Sequence, residues 1–390
     1  MFSYKYLTQN HLKGFDKYKY SAIDTSPISK YMMHPTWNFI TKFIPKWVAP
    51  NLLTFAGFLC MVVCTAILFI YDYDFTAAGR PGVTEIEEYR IPNIIFTLCA
   101  FLVFMAYNLD GVDGKQARRL GVSGPLGEMF DHGLDSYIVF LIPYCLISVY
   151  GRDYYSLSEF RAYLILMSIV LNFYVSHWEK YNTGTLYLPW GYDFSMWVSV
   201  LLFLQAGIYG PAVYKVYVFG NVKFVEALEA AIHATGLFTT LPIAIYNVWM
   251  SYKNKTGNMY STLESMRPIW SMLAMTVTTT VWALCSPNNI IEKDPRVFFL
   301  AFGTVFSNIA SRLIVAEMSK QRCDTISWLN IPLITTMVIS LYQPHLERVA
   351  LHVFFLFAIA AHVHYGVCVV RQMCDHFQIK CFIVPKEKRK

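Results

Sequence analysis

The sequence predicts an all-α protein: a polytopic bundle of about ten transmembrane helices, preceded by an amphipathic helix on the membrane surface. Three observations carry this. The 390-residue chain is 55% hydrophobic and only 15% charged, whereas a soluble globular chain carries about 25% charged residues. Its apolar residues gather into uncharged runs of spanning length. Its charges are sorted between loops, so that every second loop is basic.

The elements follow in order. The first 40 residues are polar and rich in Tyr and Lys, without the early apolar stretch of a cleavable signal peptide. Residues 27–46 (PISKYMMHPTWNFITKFIPK) mix aromatics with lysines and predict the interfacial helix. Ten apolar segments follow, at 49–71, 92–110, 133–150, 161–178, 192–210, 224–250, 268–286, 295–318, 327–343 and 347–371. The third contains Pro143, and the sixth contains Glu226, Glu229 and Pro242, so these two fit the pattern least well. The divisions expected are an arm over 1–46, a core over 47–250, C-terminal helices over 251–371 and a tail over 372–390.

Loop charge orients the bundle. The arm carries Lys13, Lys17, Lys19, Lys30, Lys42 and Lys46, and the loop after segment two carries Lys115, Arg118 and Arg119. Basic residues recur at Lys253, Lys255 and Arg267, and at Lys320 and Arg322. Loop 72–91 is acidic, with Asp72, Asp74, Glu85, Glu87 and Glu88. The positive-inside rule then puts both termini in the cytosol. The tail Lys386-Glu387-Lys388-Arg389-Lys390 resembles a cytosolic dilysine retrieval signal. The expected location is the endoplasmic reticulum membrane, with the Golgi as the alternative. On this topology the sequon Asn254-Lys255-Thr256 is cytosolic and unmodified. The nine cysteines show no metal-ligand spacing and mostly lie in apolar runs, so neither a zinc site nor a disulfide framework is expected.

Four aspartates interrupt this apolar chain within DGVDGKQARRLGVSGPLGEMFDHGLD: Asp110, Asp113, Asp131 and Asp135. Spacings of three and four place each pair on one helix face. Two such faces meeting would make an oxygen cage suited to Mg²⁺ or Mn²⁺. A salt-bridge network would need more cations than lie nearby, because unpaired buried carboxylates are expensive. Segment two is expected to continue as helix to about Arg119. Gly114 and Ala117 leave room for a flat group such as a nucleobase, and Arg118 offers a planar fork to a phosphate. Residues 120–125 form a turn, with Ser123 expected to cap a helix beginning near Pro125. Gly124 and Gly127 are expected to let the two helices pack closely.

These residues carry a resemblance. Asp110-x2-Asp113-Gly114-x2-Ala117-Arg118-x8-Gly127-x3-Asp131-x3-Asp135 resembles, without a gap, the motif of the CDP-alcohol phosphotransferase family. FDKYKYSAIDTSP, APNLLTF, PLGEMFDHGLDS and HWEKYNTGTLYLP are similar to its eukaryotic ethanolaminephosphotransferase branch. The resemblance covers the N-terminal half well, and the last 150 residues mainly as hydrophobic spans. It implies transfer of phosphoethanolamine from CDP-ethanolamine to diacylglycerol, with release of CMP. It also implies two Mg²⁺ or Mn²⁺ ions on Asp110, Asp113, Asp131 and Asp135. Gly114, Ala117 and Arg118 would line the CDP site, and Asn51 would touch the nucleotide. Choline or dual specificity is the alternative within the family. Relatives suggest a homodimer; membrane lipid is the other partner and nucleic acid is not one.

A general base must take the proton of the diacylglycerol hydroxyl. Asp135 holds that position in much of the wider family, but a metal-held Asp135 is a poor base. His132 is therefore preferred. Glu179, beside His177 and Trp178, would orient His132 or attract the ethanolamine ammonium; choline-type relatives carry glutamine there. Asn308 and Arg312 are expected to pair within the bundle, and His362 and His364 to hydrogen-bond between helices. A cation-coupled transporter is the reading from another class. It wants acids at the bilayer midplane on broken helices, whereas these lie at one membrane edge.

Overall fold

The computed structural model describes residues 4–85, 90–188 and 191–388. Glu87, Glu88, Arg389 and Lys390, read above as loop and tail charges, lie outside the described residues, as does the end of the HWEKYNTGTLYLP segment.

The arm opens with α1 (Gln9–Asp16), capped by Thr8, and crosses a short strand β1 (Ala22–Asp24). A π-helical turn, Ser29–Met33, leads into α2 (His34–Thr41). Met33 and Trp37 are buried here, while Tyr31, Phe39 and Phe43 are exposed. This one-sided arrangement is the amphipathic helix that the sequence predicts.

The bundle then begins with α3 (Pro50–Tyr71), α4 (Asn93–Leu120) and α5 (Pro125–Tyr150). Their ends are written locally. Pro50 and Pro125 occupy first-turn positions, where a missing N–H costs nothing. Gly121, at φ 60°, ends α4 in the left-handed conformation. Pro143 lies inside α5, which continues through it. Ser123 does not cap α5. The residue at that position is Gly124, which is extended, and no side chain caps the helix.

Next come α6 (Glu159–Thr183), capped by Ser158, a strand β2 (Leu186–Leu188) and α7 (Gly191–Tyr209). β2 pairs in parallel with β1, which ties the arm to the end of α6. The sixth segment is α8 (Phe224–Thr235), a π-helical turn and α9 (Leu241–Asn254), together one apolar span. Its two acids share one cation, because Arg161 of α6 pairs with both Glu226 and Glu229. The chain ends with α10 (Thr262–Cys285), a short α11 (Ile290–Lys293), α12 (Pro295–Ser319), α13 (Asn330–Tyr342) and α14 (Glu347–Phe377).

Among the described residues, nine helical segments are long and apolar enough to cross a membrane. The expected ninth segment, 327–343, is the exception. Its helix α13 has 13 residues, roughly 20 Å, against a hydrocarbon core of roughly 30 Å. α12 is the hub, with 89% of its apolar window buried. It packs against α5, α6, α10 and α14, while α3, α4, α5 and α7 form a second packed group.

Both ends of the chain meet at one end of the bundle. Tyr6 N–H donates to Gln372 Oε1 at 2.8 Å, and His376 lies 2.7 Å from Asp16. The far end of α4 is tied to the same region. Arg119 Nη1 donates to the carbonyls of Thr41 and Ile44, and Gln116 Nε2 to those of Pro45 and Val48. The expected pairing of Arg312 is present: it reaches Asn308 Oδ1 at 3.2 Å and Asp324 Oδ2 at 3.1 Å. His362 bonds Ser307 of α12, and His364 bonds Tyr6 of the arm rather than a neighbouring helix.

Candidate active site

The four aspartates lie at the end of the bundle where the arm, the α4–α5 turn and the tail converge. α4 does continue past Asp110 to Leu120, so Asp110 and Asp113 share its inward stripe. α5 brings Asp131 to them. The ligand oxygens of Asp110, Asp113 and Asp131 all lie within 4.8 Å of one another. Asp135 is outside that tightest group; it stands one helical turn further along α5, its charge facing Asp110 and Asp113.

The cluster is poorly compensated. Among the described residues none of the four carboxylates forms an ion pair with Lys or Arg. Neutral hydroxyls hold two of them: Thr54 Oγ1 donates to Asp113 Oδ2, and Tyr192 Oη to Asp110 Oδ2 at 3.0 Å. Asp131 Oδ1 is buried without any hydrogen-bond partner. Like charges this close need a cation, and an all-oxygen donor set fits a hard divalent one. Thr54 and Tyr192 suit the supporting role that orients metal-ligating carboxylates.

The surrounding surface is made of small residues. A Cβ at Gly114 would meet only the Arg118 guanidinium, at 3.6 Å, so Arg118 folds back over Gly114 along one face of α4. Gly124 and Gly127 do not serve close helix packing as expected. A Cβ at Gly124 would meet nothing within 4 Å, and one at Gly127 only Asn51 Oδ1, at 3.5 Å. Gly124 borders open space, and Gly127 borders the Asn51 side chain. Close approach occurs elsewhere, at Gly57 against Ala106 and at Gly111, where a Cβ would lie 2.1 Å from the Trp37 ring. Ala117 is half-buried on the same helix. Asn51 is itself engaged: its Nδ2 donates to the Cys381 carbonyl at 3.1 Å.

His132 belongs to a different wall. Successive helical residues point about 100° apart, so His132 is turned away from Asp131 and stands about 60° from Asp135, on the α6 side of the carboxylates. Its ring is buried edge to face against His177 of α6, with centroids 5.4 Å apart, and its Nδ1 has no partner. His177 Nδ1 lies 3.1 Å from Glu317 Oε1 of α12. Lys180 Nζ bridges Glu317 at 3.2 Å and Glu128 at 2.8 Å, and Tyr18 of the arm donates to Glu128. Burial pushes the Tyr18 phenol well up; Lys180 opposes that shift and Glu128 adds to it. Tyr18 therefore stays a hydrogen-bond donor at neutral pH.

Glu179 does not reach this wall. It lies two residues from His177, about 200° around α6, and its Oε1 accepts from Asn247 Nδ2 of α9 at 2.7 Å. The residues facing His132 are His177 and Lys180. The expected Glu179–His132 contact is therefore replaced by a His177–Glu317–Lys180–Glu128 network. Tyr192 and Glu128 carried no local signal that could have singled them out. His177 and Glu317 were visible as polar residues in apolar segments, but not as partners.

Comparison with known proteins points the same way. Residues 47–240 match the family model for CDP-alcohol phosphatidyltransferase. The chain is 42% identical to "Ethanolaminephosphotransferase 1" of Homo sapiens, covering 99% of this chain and 96% of the human protein. Identity to the Mus musculus protein of the same name is also 42%, over the same shares. "Choline/ethanolaminephosphotransferase 1" of Arabidopsis thaliana is 25% identical, over 98% of this chain and 99% of the plant protein.

Proposed function

Because the chain belongs to the CDP-alcohol phosphatidyltransferase family, we propose that it is an ethanolaminephosphotransferase that moves phosphoethanolamine from CDP-ethanolamine to 1,2-diacylglycerol. The products are phosphatidylethanolamine and CMP. The observation that carries the chemistry is the uncompensated Asp110–Asp113–Asp131 cluster beside the Gly114–Arg118 face. The head group rests on 42% identity across nearly the full length of the human relative.

Asp110, Asp113, Asp131 and Asp135 would hold two divalent cations, Mg²⁺ or Mn²⁺. Bound there, such ions supply neutralising charge to a pyrophosphate and its leaving group. The chain's own residues do the rest. Thr54 and Tyr192 fix the carboxylate orientations. Arg118 meets phosphate with its planar fork, and the small surfaces of Gly114, Ala117 and Gly127 admit the nucleoside. Asn51 offers its amide to the nucleotide. His132 accepts the proton of the diacylglycerol hydroxyl as that oxygen bonds the phosphorus bearing ethanolamine. The bond from this phosphorus to the CMP oxygen breaks, and CMP leaves with the electron pair. Tightly packed His177 confines the His132 ring. Asp135 is the alternative base.

The loop charges support a site facing the cytosol, with both termini there, in the endoplasmic reticulum membrane or the Golgi. At that edge a soluble CDP-alcohol and a membrane-held diacylglycerol can both arrive. Choline or dual specificity is the second reading, favoured by the plant relatives at 25% identity. Purified protein given diacylglycerol, Mg²⁺ and each CDP-alcohol separately tests the choice by mass spectrometry of the lipid product. Phosphatidylethanolamine as the main product supports the reading. A preference for phosphatidylcholine overturns the head-group assignment.

A further inference from the structure

The last residues of the chain are fastened across the rim of the aspartate cleft. α14 ends at Phe377, and Gln378, at φ 55°, turns the chain back through the left-handed region. The returning segment finds partners on three helix ends. Cys381 accepts the Asn51 amide through its carbonyl at 3.1 Å, with its Sγ 3.4 Å from the same nitrogen. The Phe382 ring sits 5.7 Å from Phe55 and 5.6 Å from Phe130. Val384 is 2% exposed and shares an apolar cluster with Ala49 and Leu120. Lys388 Nζ comes within 3.7 Å of where a Cβ on Gly121 would stand. Asn51 and Phe55 lie on α3, Leu120 and Gly121 close α4, and Phe130 lies on α5 beside Asp131. These ends frame the cleft.

The anchoring is shallow. Among the described residues, the buried Val384, the Phe382 ring against Phe55 and Phe130, and the Asn51 amide on Cys381 form a small anchored patch, and local opening of so small a patch is cheap. A segment held this weakly can give way to a ligand that needs the same groups. The group it holds most directly is the Asn51 amide, which a nucleotide entering beside Gly127 would need.

We propose that the segment Cys381–Lys388 is an autoinhibitory latch that competes with the CDP-alcohol for Asn51 and the rim of the cleft. The latch rests on the nucleotide reading of this site. Competition of this kind weakens nucleotide binding without altering the chemical step, so its signature is in Kd and KM rather than in kcat.

The test compares the full chain, a chain ending at Phe377, and the full chain with Val384→Asp. The substitution puts a carboxylate into the Ala49–Leu120 cluster and leaves the cleft residues untouched. CMP binding in the presence of Mn²⁺ is measured by equilibrium dialysis, and KM and kcat for CDP-ethanolamine by CMP release. Both altered chains are expected to bind CMP at least about threefold more tightly, with KM lowered in parallel and kcat within about twofold. If the shortened chain does not fold, Val384→Asp alone decides. Equal or weaker CMP binding in the altered chains overturns the latch and leaves the nucleotide reading standing. Absence of CMP binding in all three removes the nucleotide reading and the latch with it.

Discussion

His177 Nδ1 lies 3.1 Å from Glu317 Oε1, and the His177 ring in turn meets His132 edge to face at 5.4 Å. This pair joins α6 to α12 beside the turn of α5 that carries His132. The site is therefore two adjoining groups along one helix: carboxylates toward α4, and the His132 imidazole beside them toward His177 of α6. A phosphate ester on one side and a lipid hydroxyl on the other would meet at α5.

This division separates the roles of His132 and Asp135. His132→Ala is expected to lower kcat by about 10²-fold or more, the scale of a lost general base, with cation affinity unchanged. Asp135→Asn is expected to weaken Mn²⁺ binding, measured by electron paramagnetic resonance. Near-normal turnover in His132→Ala, together with lost turnover and intact Mn²⁺ binding in Asp135→Asn, would make Asp135 the base instead.

Thr54 supports the cluster through Asp113. Thr54→Val removes its hydroxyl and is expected to reduce divalent-cation affinity by about 10-fold, as loss of an outer partner does. Thr54→Ser should restore it. Cation affinity unchanged in Thr54→Val would show that Asp113 needs no such support.

Lys180 is a stability residue for the His177 wall. It is 3% exposed and bridges Glu128 and Glu317. Lys180→Met leaves the buried Glu317 and the partly buried Glu128 without their cation, an effect of about 3–5 kcal/mol. The protein in detergent should melt at a clearly lower temperature. An unchanged melting temperature would mean that water or relaxation compensates both acids.

Gly111 is where the interfacial helix docks. A Cβ there would lie 2.1 Å from the Trp37 ring, so Gly111→Ala must displace Trp37 at a cost of about 1–3 kcal/mol. Trp37→Leu in the same chain should recover part of the loss. A Gly111→Ala protein as stable as the parent would show that α2 shifts freely over α4.

How far the chain can be read without its structure depends on the range of the interaction. The paired aspartates are a local pattern, because spacings of three and four fix a helix face wherever the helix lies. Segment lengths and the Pro50, Pro125 and Gly121 boundaries are local too. Ser123 misled because a capping residue is recognised by type, while the chain uses an extended Gly124 there. Segment nine misled because hydropathy does not see where a helix stops; α13 begins only at Asn330 and ends at Tyr342. His177 and Glu317 are 140 positions apart, so no spacing rule joins them. In sequence the tail resembles a retrieval signal, and its contact with Asn51, 330 positions away, is not legible there.

If the aspartate cluster is the cation-dependent centre of phosphoethanolamine transfer, its loss must show in CMP release. Release from CDP-ethanolamine, with diacylglycerol, is measured for the purified chain and for Asp131→Asn, before and after chelation. Release should be lost on chelation and return with Mg²⁺ or Mn²⁺. Asp131→Asn should fall by about 100-fold or more and bind Mn²⁺ weakly. Cation-independent release, or an Asp131→Asn protein that turns over like the parent, would leave the cluster no part in the transfer.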